Sequence, residues 1–176
     1  ITGRTPNESN RRVIAPGHEV WTVANNRNSW FGFSITATNA SNHLRNLHII
    51  MPGFENTWQT QPIHPSFRAH WQGMEALRFM DLAQVNNSPI VNWSQSTTRN
   101  YITQTGFGSS IVGVSPELLV ELGNLMNKDI WVCMPHLASD DFIRQYATLV
   151  RNNLNPNLKV YVEYSNECWN YMFEQT

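Results

Sequence analysis

Glu167 stands near the end of the run "KVYVEYSNECWN", residues 159–170, where a β-branched and aromatic stretch stops at Asn166-Glu167 and an indole, Trp169, follows. A carboxyl group so placed is suited to general acid/base work. Partial burial or a second carboxylate raises its pKa until it holds a proton near neutral pH, and Trp169 offers an apolar wall for that purpose. Other polar side chains sit at the ends of earlier apolar runs: Arg78 and Asp81 in or after "EALRFMD", and His136 in "DIWVCMPHL". If these runs are parallel strands, their carboxyl ends share one rim, the usual place for an active site in such folds.

Each residue also has a plainer reading. Glu167 suits the start of a helix, where the dipole favours an acid. His136 suits a hydrogen-bonded loop, and Arg78 suits an ion pair with Glu163 or Asp81. Trp21, Trp30 and Trp131 read as core. His43, His48, His64 and His70 form no metal-ligand spacing, and no metal or cofactor set is legible.

The elements that must position these groups follow a change in pattern near residue 44. Residues 1–43 hold aromatic and β-branched runs broken by Asn-rich turns, which predicts a β-rich segment of short antiparallel strands, a remnant or cap of a sandwich-like domain. Residues 44–176 alternate. Strands are expected at "LRNLHIIMPG", "EALRFMD", "DIWVCMPHL" and "KVYVEYS". Between them Pro65 opens one helix, Ser115-Pro116-Glu117 opens a second, and Ser139-Asp140-Asp141 opens a third. The order βαβαβαβ implies parallel strands with helical crossovers. Because no G-x-G-x-x-G or P-loop follows the first strand, half of a (β/α)8 TIM barrel is favoured over a doubly wound sheet. A long connection, residues 83–114, carries Trp93 and Tyr101 and would lie on the catalytic face of such a barrel.

Of the 176 residues 14 % are charged and the net charge is −1, so no electrostatic footprint favours nucleic acid or an anionic membrane. No apolar run approaches the roughly 18 residues of a membrane helix. The chain begins at Ile1, which suggests processing or an incomplete chain, with a removed secretion signal compatible. Cys133 and Cys168 read as two small buried residues, a disulfide being the alternative. N-x-S/T patterns begin at Asn7, Asn39, Asn86 and Asn92 and matter only in a glycosylating secretory pathway.

The motif "VEYSNE" resembles the Asn-Glu motif of clan A glycoside hydrolases, (β/α)8 enzymes whose fourth strand ends in Asn followed by the acid/base Glu. Arg78 in "LRFMD" and His136 in "WVCMPHL" resemble the arginine and histidine of strands two and three in the cellulase-like family 5, and residues 44–176 as a whole are similar to uncharacterised bacterial secreted proteins of this kind. The resemblance implies an extracellular or surface protein that hydrolyses a β-linked polysaccharide with retention. Glu167 would be the general acid/base, Asn166 would bond the sugar 2-hydroxyl, and His136 and Arg78 would support the site. Trp169 and Trp93 would stack on sugar faces. A retaining reaction needs a second carboxylate about 5 to 5.5 Å from the first. In the resembling enzymes it comes from strand seven, so this chain would span only the first half of the barrel and be inactive alone. The alternative is a non-catalytic carbohydrate-binding or filament-forming protein that associates through the strand edge at 160–165.

Overall fold

In the computed structural model the chain forms two compact units, Ile1–Thr60 and Gln61–Thr176. The structure describes residues 2–4, 8–23, 32–45, 47–101, 103–104 and 113–176. Trp30, Asn7, Ile102 and residues 105–112 of the long connection lie outside them.

In the first unit β1 (Thr2–Arg4) pairs antiparallel with β4 (Gly32–Ser34), and β2 (Glu8–Ala15) pairs antiparallel with β3 (His18–Val23). Pro16-Gly17 closes the second pair as a hairpin, with Gly17 at φ 75°, a left-handed turn conformation that glycine adopts freely. Across that hairpin the Arg11 Nε donates to Glu19 Oε2 at 2.9 Å, and the guanidinium lies 5.5 Å from the Trp21 ring centroid.

The second unit runs α1 (Pro65–Trp71), β5 (Ala76–Arg78), a 3-10 turn (Trp93–Gln95), α2 (Pro116–Met126), β6 (Asp129–Met134), α3 (Asp140–Asn153) and β7 (Val160–Tyr164). Its sheet has the order β5-β6-β7 and is parallel throughout. Both long helices start where their caps dictate. The Ser115 side chain accepts from the Leu118 N–H and Pro116 takes the first turn, while Ser139 accepts from the Phe142 N–H with Asp140 and Asp141 against the positive end of the dipole. Helix α2 ends at Asn127, whose φ of 51° lets the chain turn back into β6.

Alternation along the strands sends Leu77, Ile130, Val132 and Met134 to the helical side. There they form one core with Phe79, with Leu119, Val120 and Met126 of α2, and with Phe142, Tyr146 and Val150 of α3. At Gly123 α2 lies close against β6: a Cβ there would stand 2.4 Å from Ile130 Cγ2.

The expected half barrel is not found. The described part of 44–53 holds no strand, and Leu44, Leu47, Ile49 and Met51 are exposed. A strand persists by ladder pairing, and no described residue pairs with the free edge of β5. Three strands do not make four βα units. The fold of this unit is a three-stranded parallel sheet with α2 and α3 on one face, not part of a (β/α)8 barrel.

Candidate functional site

The face of the sheet opposite the helices carries polar chemistry. Arg78 lies beside Trp131, and Cys133 beside Glu163, in the strand register. Arg78 Nε donates to Glu163 Oε2 at 3.0 Å, and its Nη2 donates to Oε1 at 3.0 Å and Oε2 at 2.8 Å. Trp131 Nε1 donates to the same Oε2 at 2.9 Å, and the Cys133 thiol lies 3.3 Å from it. The guanidinium also sits 5.6 Å from the Trp131 ring centroid. A planar fork on a carboxylate with an aromatic face beneath is what arginine does and lysine cannot. The ion-pair reading of Arg78 is thus the one observed, with Glu163 as partner.

Titration follows from this crowding. Burial pushes the Glu163 carboxyl up, but the Arg78 hydrogen bonds, the Cys133 and Trp131 donors and the Arg78 charge outweigh it, leaving the group below its ordinary 4.5. Burial, then the adjacent Glu163, push the Cys133 thiol up to about 12, so it is a protonated donor and not a nucleophile at neutral pH. Both cysteines are free, Cys133 buried and Cys168 exposed, so neither the disulfide nor two buried thiols is found.

A carboxylate whose folded pKa is depressed contributes stability above its unfolded value and loses it as pH falls through the folded one. Glu163→Gln is therefore expected to be less stable than the parent at pH 7, the gap closing below about 4.5. Urea unfolding of both proteins at pH 7 and pH 3.5 checks this, and an equal gap at the two pH values would contradict it.

Arg78 reaches past Glu163 to the rim. Its Nη2 donates to Asn166 Oδ1 at 2.7 Å, and Asn166 Nδ2 donates to Asn86 Oδ1 at 3.0 Å. Gln175 Nε2 donates to Asn86 Oδ1 at 2.7 Å and to the Asn166 carbonyl at 2.8 Å. Its Oε1 accepts from the Asn87 N–H at 3.1 Å. Asn166 is 3 % exposed, so both ends of its amide are spent inside the protein, where a sugar 2-hydroxyl was the expected partner. Asn86 and Gln175 were not foreseen. They belong to a loop and a terminal segment, and only the fold brings them together.

Beyond β7 the backbone turns through two left-handed residues, Ser165 at φ 53° and Glu167 at φ 44°, with Asn166 pinned between them. Single αL residues of this kind cost of order 1–3 kcal/mol and persist where their surroundings over-determine them. Here the Ser165 N–H donates to the Met134 carbonyl at 2.8 Å on one side and the Asn166 contacts hold the other. The corner leaves the Glu167 carboxyl partly exposed. Its Oε2 accepts from Asn170 Nδ2 at 2.8 Å, and it has no ion-pair partner among the described residues.

The remaining expected residues divide. Trp169 is 73 % exposed and Tyr171 93 %, so Trp169 is an open platform and not the wall of a closed pocket. His136 follows β6 with Nδ1 buried and without a hydrogen-bond partner among the described residues, and its carbonyl accepts from the Tyr164 hydroxyl at 3.1 Å. Trp93 is spent on the core: its ring packs edge-on against Phe142 and Tyr146, with centroids 5.4 and 6.0 Å away. A cavity of about 30 Å³ beside that cluster, lined by Val85, Ser96, Leu119 and Tyr146 among others, has room for a water and none for a sugar ring. No group of three or more His, Cys, Asp or Glu that could hold a metal occurs among the described residues. No protein-family model, curated protein or solved structure matches the chain.

Proposed function

We propose that the chain engages a β-linked polysaccharide at the carboxyl rim of its parallel sheet, and that Glu167 is the proton donor to the glycosidic oxygen in a glycoside hydrolase-like site. One observation carries the reading. A carboxyl group whose only partner among the described residues is an amide donor is held on a strained corner, and it is followed within four residues by a fully presented indole and phenol. Amphipathic rings of this kind present a flat apolar face with little ordering cost, which suits the C–H faces of a sugar. Glu163, the acid four residues earlier, is committed to Arg78 and does not serve as the second carboxylate that retention requires. The 176 residues by themselves are accordingly expected to bind glycan and not to cleave it.

Affinity electrophoresis through gels containing soluble β-glucan, xylan or mannan tests this. Retardation by at least one polymer is expected, weakened about tenfold by Trp169→Ala, which corresponds to roughly 1.4 kcal/mol. Glu167→Gln should leave retardation in place, since the group is assigned to proton transfer. Migration indifferent to every polymer, or retardation unchanged in Trp169→Ala, would overturn the assignment.

A further inference from the structure

We propose that β7 is an interface strand that pairs antiparallel with β7 of a second copy of this chain about a two-fold axis at Tyr161. The proposal stands apart from the glycan reading. On one side β7 pairs with β6, and no described residue pairs with its other side. The phase of the ladder is fixed by two bonds: the Ile130 N–H donates to the Lys159 carbonyl at 3.0 Å, and the Ser165 N–H to the Met134 carbonyl at 2.8 Å. Residues 159, 161, 163 and 165 therefore turn their peptide groups towards β6. Val160, Val162 and Tyr164 turn theirs outward, where an edge is open to another strand. The Tyr164 carbonyl is already approached by the Cys168 thiol at 3.8 Å, which leaves Val160 and Val162 with both groups unpartnered among the described residues.

The side chains of this edge are apolar on the face that helices cover elsewhere in the sheet. Val162 is 66 % exposed, although Val132, its neighbour in the ladder, is buried. A two-fold axis at Tyr161 sets Val160 against Val162 of the second copy, twice, and these two pairs exchange all four free N–H and C=O groups. The same axis sets Lys159 opposite Glu163 of the second copy, again twice. Glu163 Oε1 has a single Arg78 bond and retains acceptor capacity for that ammonium. Moving the axis one residue, to Val162, loses both charge pairs and calls on the occupied Tyr164 carbonyl. Charge and hydrogen-bond complementarity thus select a second copy and one register, joining two three-stranded sheets into a six-stranded one. Isologous contacts of this kind are how most homodimers close.

Sedimentation equilibrium of the full chain, with amide hydrogen exchange, tests the interface. The expected result is a mass that doubles with rising concentration, with Val160 and Val162 amides protected in the dimer. Lys159→Glu places like charges opposite each other and is expected to weaken the dimer about tenfold or more. Val162→Lys should abolish it. Both positions are exposed, so circular dichroism should show the fold retained. A chain that stays monomeric with rapid exchange at both valines, or a dimer that neither substitution weakens, overturns the proposal. Polysaccharide retardation of Lys159→Glu should match the parent, which separates failure here from failure of the glycan reading.

Discussion

Replacing Asn166 with alanine should cost about 2–4 kcal/mol and loosen the whole rim from 165 to 176. The residue is a hub: its side chain accepts from Arg78 Nη2 and donates to Asn86 Oδ1, and its backbone carbonyl accepts from Gln175 Nε2. Truncation removes one hydrogen bond to a charged guanidinium, worth roughly 1.5–3 kcal/mol, and one between amides, worth roughly 0.5–1.5 kcal/mol, while Arg78 keeps Glu163 and Asn86 keeps Gln175. Asn166→Asp retains the acceptor for Arg78 and loses the donor to Asn86, so it should fall between the two. Urea unfolding measures the cost, and hydrogen exchange at residues 167–176 reports the loosening. A loss below about 1 kcal/mol would mean that the corner carrying Glu167 is set by its backbone alone.

Phe79→Ala should be larger still, about 3–5 kcal/mol. Phe79 is 1 % exposed, in the first position after β5, and its backbone is tied on both sides: its N–H donates to the Trp131 carbonyl at 2.9 Å and its carbonyl accepts from Ala83 at 2.8 Å. The chain therefore cannot shift to fill the space the ring leaves. Against a typical domain stability of about 5–15 kcal/mol, that loss should leave the Gln61–Thr176 unit close to unfolding. Thermal melts of Phe79→Ala beside Leu125→Ala, an exposed control on α2 expected to move stability by less than about 0.5 kcal/mol, separate core loss from general fragility.

Local chemistry was legible where local chemistry decides. Ser115-Pro116-Glu117 and Ser139-Asp140-Asp141 announce α2 and α3, which begin at Pro116 and Asp140. The runs that end at Arg78, Met134 and Tyr164 form parallel strands because their apolar alternation meets helices of the right length between them. The apolar segment 44–53 reads equally well as a strand. Whether it becomes one depends on a partner ladder, which no window of sequence contains, and on that point the barrel expectation failed. The site shows the same limit. Glu163 as an alternative partner for Arg78 is visible from strand alternation, whereas Asn86 and Gln175 meet across 89 positions of chain and carry no motif. Trp131, read as core, is part-exposed and spends its indole N–H on Glu163. Trp93, expected on a catalytic face, packs its ring against Phe142 and Tyr146 of α3.

The clamp between Arg78 and Glu163 spans 85 positions of chain. At a synthesis rate of about 5–20 residues per second, the arginine is added to the chain roughly 4 to 17 s before its carboxylate exists. Until then β5 and β6 wait with one face and an edge unsatisfied, and β7 both pairs with the free edge of β6 and neutralises the guanidinium. Nascent chains stalled between residues 134 and 163 should accordingly be the most chaperone-dependent stage in the life of this protein.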